Sequence, residues 1–284
     1  MIHVIEHTLL DTLKVIPFLF ITYLAMEYLE HKAGEKTQSF VRKSGKFGPV
    51  IGSLFGALPQ CGFSAAASNF YAGRVITVGT LVAIFLSTSD EMLPILISQS
   101  VDAVVIAKIL AMKVVIGMAA GLFLDFMFPV KEEHDHEHIH EMCEHDHCNC
   151  GKGESIWKSA LSHTLQIAFF LLLITFALNV VLEFVGEEAL AELVLNKPVL
   201  GPLLASVVGL VPNCASSVVL TTLYIEGAMS FGAMMAGLLV NSGVGILVLL
   251  KSNTNRKEDL NIIGCVFVIG VIAGIIIDLL GIVA

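Results

Sequence analysis

The sequence predicts an all-α, polytopic membrane protein with about ten helical elements in two inverted repeats that carry paired broken helices. The first observation is composition: of 284 residues, 56% are hydrophobic and only 14% are charged. Soluble domains average about 45–50% apolar and about 25% charged residues. The second observation is a series of long apolar runs, and the third is a fixed offset that relates the two halves of the chain.

Eight apolar runs approach or exceed the roughly 20 residues that a helix needs to span a bilayer. They cover residues 12–29, 49–72, 75–97, 104–128, 160–182, 199–225, 228–250 and 260–284. A β-barrel would show short alternating segments instead. No basic segment precedes the first run and no small-residue cleavage site follows it, so we expect a membrane helix there rather than a signal peptide.

Cys61 and Cys214 lie 153 residues apart, and this offset pairs residues along almost the whole chain without a gap. It pairs Glu30 with Glu183 and Ser89 with Ser242, and, among the scarcer residue types, Pro59 with Pro212, Tyr71 with Tyr224 and Asp125 with Asp278. Chance accounts for paired leucines and valines but not for these. We expect a first membrane repeat at 1–130, a loop rich in His, Cys and acidic residues at 131–153, and a second membrane repeat at 154–284.

The charges of the connecting segments predict that the two repeats are inverted. Short cytoplasmic loops are enriched in Lys and Arg. Segment 30–47 carries five basic residues, whereas its counterpart 183–200 carries four glutamates and one lysine. Segment 251–259 is basic and its counterpart 98–106 is not. Equivalent segments therefore belong on opposite faces, with both chain termini outside and the His-rich loop in the cytoplasm.

Inversion requires an odd number of crossings in each half, yet hydropathy shows four apolar runs. The discrepancy falls in 48–97, where polar residues interrupt two runs, once at 59–62 and once at 87–90. Half-length helices or re-entrant hairpins around these interruptions would restore the odd number.

The interruptions predict a substrate site. Non-helical backbone is tolerated at membrane depth only where protein buries it or where it lines a polar cavity, and paired interrupted helices form the substrate site in many inverted-repeat transporters. A lone proline would only kink a helix, but here the interruption recurs in both repeats. The predicted substrate-binding residues are Gln60, Cys61, Ser87, Ser89, Asp90, Glu91, Asn213, Cys214, Asn241 and Ser242.

Three charged residues in the apolar runs are candidates for coupling transport to an ion. Asp90 and Glu91 are costly at membrane depth, where carboxylates usually mark ion or proton pathways. Lys113 lies inside the run 104–128 and is expected to pair with one of them and to be released when a cation or proton binds. Asp125 and Asp278, near helix ends, are expected to be caps or gate residues rather than midplane ligands.

The loop between the repeats has the composition of a metal-binding segment. It holds six of the ten histidines and three cysteines, and imidazole and thiolate suit divalent transition metals. The spacing fixes no closed site, so we expect a flexible collector of cations. Its predicted metal ligands are His134, His136, His138, His140, Cys143, His145, His147, Cys148 and Cys150.

The two interrupted blocks, "GALPQCGFSAAASNFYAGRV" and "GLVPNCASSVVLTTLYIEGA", together with the His-rich loop, carry a family resemblance over nearly the full chain. The chain resembles the ten-helix heavy-metal exporter family, whose members are labelled manganese transporter or arsenic efflux protein. It is more distantly similar to organoarsenical permeases. The resemblance implies efflux across a bacterial inner membrane. In the permeases a cysteine cluster would bind trivalent arsenic, whereas this chain has single Cys61 and Cys214.

These observations favour a multi-pass secondary transporter that exports a divalent metal, with Mn²⁺ as the first candidate and proton exchange as the coupling. No Walker motif is present, so ATP is not expected to drive transport. The apolar runs contain no midplane histidine of the kind that an intramembrane enzyme would use, so we do not expect an enzyme. We expect no cofactor. The expected partners are the lipid bilayer and the metal cargo, with a second copy of the chain as a further candidate, and no nucleic acid. Efflux of arsenicals or of a small organic anion is the alternative.

Overall fold

A computed structural model describes residues 47–59, 61–89, 92–128 and 199–283, together with single positions within 9–24 and 157–180. In these ranges the secondary structure is helical, without strands. Ten helices have defined bounds: α1 Gly48–Gly56, α2 Cys61–Ala72, α3 Val78–Ser87, α4 Met92–Ser98, α5 Ala103–Met127, α6 Leu200–Gly209, α7 Cys214–Ile225, α8 Phe231–Val240, α9 Gly245–Ser252 and α10 Arg256–Leu279. The predicted fold class is confirmed.

The helices fall into two sets of five that follow the offset of 153 residues. Helices α2 and α7 begin at Cys61 and Cys214, and α4 and α9 begin at Met92 and Gly245. The interruptions seen in the sequence are therefore breaks between helices at equivalent positions of both halves.

Helices α1 and α2 form a re-entrant hairpin. Glycines on α1 let it lie directly against α3, because a Cβ at Gly48 would collide with Thr80 and one at Gly56 would collide with Ser87. Helices α1 and α3 therefore begin at the same face and run in the same direction. Helix α2 leads through residues 73–77 to the start of α3, so the chain returns to the face from which α1 began. Helices α6 and α7 repeat this arrangement, with Gly209 against Gly237.

Each of the next two pairs forms one broken span. Helices α3 and α4 together cover Val78–Ser98, and α8 and α9 cover Phe231–Ser252, each long and apolar enough to cross a membrane. We name them span A and span B. Helices α5 and α10 cross without a break. Protein buries 94% of span B but only 28% of α10, so the broken spans lie inside the molecule while the unbroken helices face lipid.

Two contacts show that equivalent helices run in opposite directions. The carboxylate of Asp125, at the end of α5, accepts a hydrogen bond from the Gly79 N–H at the start of α3. Arg74, just before α3, binds Glu258 in the first turn of α10. The end of α5 and the start of α10 therefore lie at one face, which we call the Arg74 face. The repeats are inverted, and the opposite face carries residues 226–230.

The aspartates near the helix ends act as caps, as predicted. Asp125 accepts from the Gly79 N–H at 2.9 Å and from the Thr77 hydroxyl at 2.7 Å. Asp278 makes the equivalent two bonds: its carboxylate accepts from the Gly232 N–H at 2.8 Å and from the Ser230 hydroxyl at 2.7 Å. An acceptor at a helix N-terminus satisfies orphan N–H groups and complements the helix dipole.

The hairpin resolves the number of crossings. The apolar run at 49–72 enters and leaves at one face, so it adds no crossing, and the run at 75–97 crosses once despite its break. One broken span and one unbroken helix in each half, together with the predicted first helix, give three crossings. The first helix contains only scattered described positions, which are helical.

Replacing the glycines where α8 and α10 touch should destabilise the fold. A Cβ at Gly232 would collide with the Gly274 carbonyl oxygen, whereas a Cβ at Gly264 on the same helix pair meets nothing within 4 Å. We expect Gly232→Ala to lower stability by about 1–3 kcal/mol or more through overpacking. Gly264→Ala should be neutral or gain up to about 1 kcal/mol because alanine favours helix. Thermal unfolding in detergent measures both, and equal melting temperatures would contradict the packing described.

Candidate functional site

The break of span A is anchored by its own hydroxyl groups. The Ser87 hydroxyl donates to the Ala83 carbonyl at 2.8 Å, and the Thr88 hydroxyl donates to the Ile84 carbonyl at 2.7 Å. Both side chains are buried. These bonds hold the end of α3, so the Ser87 hydroxyl proton is used inside the helix rather than directed at a ligand. Asp90 and Glu91, which complete this break, lie outside the described residues.

Ser89 connects span A to the first hairpin. Its hydroxyl donates to the Ala57 carbonyl at 2.7 Å, and Ala57 is the residue that follows α1. The carbonyl at the end of a helix has no intrahelical partner. The bond therefore satisfies an orphan acceptor and places the end of α1 next to the break of span A.

Lys113 joins the two broken spans. It is fully buried on α5, and its ammonium group donates to the carbonyl oxygens of Thr88 and of Leu238, the latter at 2.6 Å. Thr88 follows the end of α3, and Leu238 lies in the last turn of α8. Helix C-termini carry negative partial charge, so one cation holds the C-terminal ends of two half-helices from opposite repeats.

The predicted pairing of Lys113 with Asp90 or Glu91 stays a prediction. The described partners are backbone carbonyls, whereas the predicted partners, Asp90 and Glu91, lie outside the described residues. The equivalent position on α10 holds Val266, which is buried and apolar. The site is therefore asymmetric, with one lysine serving both breaks.

The break of span B contains Asn241 and Ser242, which are 2% and 1% exposed. The Gly243 N–H donates to Asn241 Oδ1 at 3.0 Å, and Gly243 takes a positive φ of 55° that favours glycine. Among the described residues, neither Asn241 Nδ2 nor Ser242 Oγ has a hydrogen-bond partner. Two buried polar atoms of this break are therefore left without a hydrogen-bond partner in the described part of the chain.

The start of α9 lies against both α2 and the end of α3. A Cβ at Gly245 would meet the Ser64 side chain and the Phe85 ring, and the Ser68 hydroxyl donates to the Gly245 carbonyl at 2.7 Å. These contacts bring the break of span B next to the first hairpin and to span A. The breaks that the sequence singled out in separate runs therefore meet inside the molecule.

The breaks of the two hairpins place the remaining predicted residues. Asn213 is buried, and its carbonyl accepts from the Ser216 hydroxyl at 2.7 Å at the start of α7. Cys61 and Cys214 are the first residues of α2 and α7, at helix N-termini, but their side chains, like Gln60 as a whole, lie outside the described part. The predicted ligands of the His-rich loop also lie outside it. In the described ranges no three His, Cys, Asp or Glu side chains come together as a metal site.

Sequence reasoning missed a polar network at the Arg74 face. The Arg74 guanidinium binds both oxygens of Glu258, at 2.7 and 2.8 Å, and the Tyr71 hydroxyl donates to the same carboxylate. This hydrogen-bonded ion pair raises the pKa of Arg74. Asn253 donates to the buried Asp259 at 2.6 Å. Arg74 and Tyr71 lie more than 180 residues from Glu258 in the sequence, and no motif in one sequence connects them.

Removing the charge of Lys113 should disable the site. Lys113→Met leaves two buried carbonyls without their donor, and losing bonds from a charged donor corresponds to about a tenfold or greater loss of function. We expect transport activity to fall at least that far, while Lys113→Arg retains part of it and Lys108→Met, at an exposed position on the same helix, retains all of it. Full transport by correctly folded Lys113→Met would contradict the role of the lysine.

Comparisons with known proteins give a family for the chain. A family model described as "Putative, 10TM heavy-metal exporter" matches residues 2–185 and 159–282. Searches of curated proteins and of solved structures found no match. Together the two matched regions cover almost the whole chain. The chain belongs to this ten-TM heavy-metal exporter family.

Proposed function

We propose that the protein is a secondary transporter that exports a divalent heavy metal, with manganese as the first candidate, through the buried region where the breaks meet. The observation that carries this proposal is the position of the Lys113 ammonium between the carbonyl oxygens of Thr88 and Leu238. A place that accommodates one cation between two broken spans suits a transported cation. Family membership supports heavy-metal export as the class of activity.

The break of span A supplies the chemistry that a hard cation prefers. Carbonyl and carboxylate oxygens bind Mn²⁺ and Mg²⁺-like ions, and the residues that follow Ser89 in this break are Asp90 and Glu91. We infer that these carboxylates bind the metal together with carbonyl oxygens freed by the break. Gln60, Cys61, Asn213 and Cys214 would line the same region from the hairpins.

Lys113 offers a physical route to coupling. A divalent cation 4 Å from an ammonium group is repelled by about 8 kcal/mol at an effective dielectric constant of about 20. Metal binding beside Thr88 therefore drives either the lysine side chain or its proton away. Exchange of a metal for a proton through Lys113, Asp90 or Glu91 follows from this repulsion and constitutes the proposed coupling.

The inverted repeats supply the alternation of access. In transporters of this type one bundle rocks against another around a fixed site. At the Arg74 face the connection between α2 and α3 is tied to α10 by the Arg74–Glu258 ion pair. The equivalents of these residues are Gly227 and Val105, so the opposite face has no such pair. We propose that the ion pair closes the Arg74 face and that it separates when this face opens.

The orientation in a bacterial inner membrane follows from the basic segments. The segments before α1, after α5 and around the start of α10 all attach at the Arg74 face, and they include the basic stretches and the His-rich loop. We infer that this face is cytoplasmic and that the loop collects metal there for export. The proposed direction of transport is from the Arg74 face to the opposite face.

Efflux of an arsenical or a small organic anion is the second candidate, favoured by Cys61 and Cys214 at the start of two half-helices. Such a cargo would use these thiols and the helix N-termini instead of the carboxylates. Cys61→Ser and Cys214→Ser would then abolish transport. A metal exporter whose backbone carbonyls bind the cargo would tolerate both changes.

A panel of metals tests the proposed function. Cells that express the chain should grow at otherwise toxic manganese concentrations and should contain less manganese than control cells. The double variant Asp90→Asn with Glu91→Gln should lose this protection, because it removes both anionic ligands, while tolerance of arsenite is unaffected. Protection against none of the metals, or metal protection that survives the double variant, would contradict the proposal.

Cysteine labelling tests the orientation. Asp102 and Asn255 are repeat equivalents, both exposed, just before α5 and α10. In a background without the native cysteines, a membrane-impermeant maleimide should label Asn255→Cys only in inside-out vesicles and Asp102→Cys only in intact spheroplasts. Labelling of both from one side would contradict the inversion, and a reversed pattern would contradict export in the proposed direction.

A further inference from the structure

Equivalent serines in the two broken spans differ in their hydrogen bonds. At span A the Ser89 hydroxyl donates to the Ala57 carbonyl at 2.7 Å, and Lys113 binds the Thr88 carbonyl. The equivalent serine in span B is Ser242, and among the described residues its hydroxyl has no partner. The equivalent of Lys113 is Val266, which supplies no donor. Lys113 also binds the Leu238 carbonyl near the end of α8, so the polar atoms of the second break that lack a described partner are Asn241 Nδ2 and Ser242 Oγ.

The unpartnered groups at span B are hydrogen-bond donors. Oδ1 of Asn241 accepts from the Gly243 N–H, and this bond assigns the other amide atom as the NH₂ group. That NH₂ group has no partner in the described part of the chain, and the side chain is 2% exposed. Ser242 Oγ, 1% exposed, can also donate. A buried donor without a partner is rare in native proteins and calls for an acceptor.

Helix α9 adds a favourable potential at the same break. It begins at Gly245 without a side-chain cap, and the Gly245 N–H donates to the Ser242 carbonyl at 3.1 Å. The N–H groups that follow Gly245, together with the helix dipole, give this end a positive partial charge that favours an anion. The sequence adds no negative charge there, because the equivalents of Asp90 and Glu91 are Gly243 and Val244. The first break therefore carries the carboxylates, and the second carries donors and a helix N-terminus.

We propose that the break of span B is a subsite for a small oxyanion, bound by Asn241 Nδ2–H, the Ser242 hydroxyl and the start of α9. Phosphate, arsenate and carbonate have the acceptor oxygens that these donors require. The subsite lies beside the proposed metal site at span A. The oxyanion is either a counter-ion that travels with the metal or a cargo in its own right, and the two share one recognition chemistry. The first of these roles rests on the proposed metal export, whereas the subsite itself does not.

Binding of labelled inorganic phosphate and of arsenate to the full chain in lipid nanodiscs tests the proposal. The natural chain should bind one or both saturably. Ser242→Ala and Asn241→Leu should each weaken binding by about tenfold or more, the loss expected for a hydrogen bond to a charged group. Asn241→Asp, which keeps the size and the acceptor to Gly243 but replaces the donor with a carboxylate, should abolish it. Ser53→Ala is the control, because its hydroxyl bonds only within α1.

Manganese separates the two roles of the anion. Tighter phosphate or arsenate binding in the presence of Mn²⁺ supports a counter-ion, and unchanged binding supports an independent cargo. A variant whose melting temperature matches that of the Ser53→Ala control is folded. If Asn241→Leu does not fold, Asn241→Asp replaces it in the binding test, because aspartate and asparagine have the same size. Absence of oxyanion binding by the natural chain, or equal binding by folded Asn241→Asp, overturns the subsite. Failure of manganese export with intact oxyanion binding overturns the metal proposal alone.

Discussion

The structure depends on one constraint: a helix broken inside a bilayer exposes carbonyl and amide groups that lipid cannot hydrogen-bond. This chain breaks its helices at equivalent positions of both repeats, so the constraint applies several times over. At the ends of α3 and α8 a single ammonium group supplies the missing hydrogen bonds, because Lys113 donates to the carbonyl oxygens of Thr88 and Leu238. Ser89 does the same for the end of α1 through the Ala57 carbonyl. The breaks are possible because these donors lie next to them.

The rest of the architecture follows from the need to keep the breaks away from lipid. The broken spans occupy the interior, the unbroken helices α5 and α10 cover them, and glycines such as Gly79 and Gly232 let the backbones approach closely. Asp125 and Asp278 fix the start of each broken span to the end of its covering helix by the same pair of bonds. Each repeat is therefore rigid at its own face, and the two repeats meet at the breaks, where a cargo would bind.

Much of the fold could be predicted because the residue types at particular positions reveal the repeat and the breaks. Proline, serine and asparagine in apolar runs mark the breaks, the offset of 153 residues pairs them, and loop charges indicate the inversion. The hairpin α1–α2 was one of two options, because hydropathy does not distinguish a run that crosses from one that turns back. The close approach of Gly48 to Thr80 decides it, and such contacts depend on tertiary packing.

The site was less accessible to sequence reasoning. Residue types show which positions are polar but not which partner each polar group bonds. The sequence therefore gives no reason to prefer Asn241 over Ser87 as a ligand. In the structure the Ser87 hydroxyl bonds within its own helix, whereas the Asn241 amide keeps a buried donor without a described partner. The Arg74–Glu258 pair joins segments that the sequence separates by 184 residues, and only the inverted packing brings them together.

The central claim is that the cargo binds where the breaks meet, and substrate protection of a cysteine there tests it most directly. A cysteine in place of Ser89 should react with a small water-soluble thiol reagent, and manganese should slow that reaction at concentrations at which it is transported. A cysteine in place of Asp102, exposed before α5, should react at the same rate with and without manganese. If none of the transported metals slows the reaction at position 89, the cargo does not bind between the broken spans and the account is contradicted.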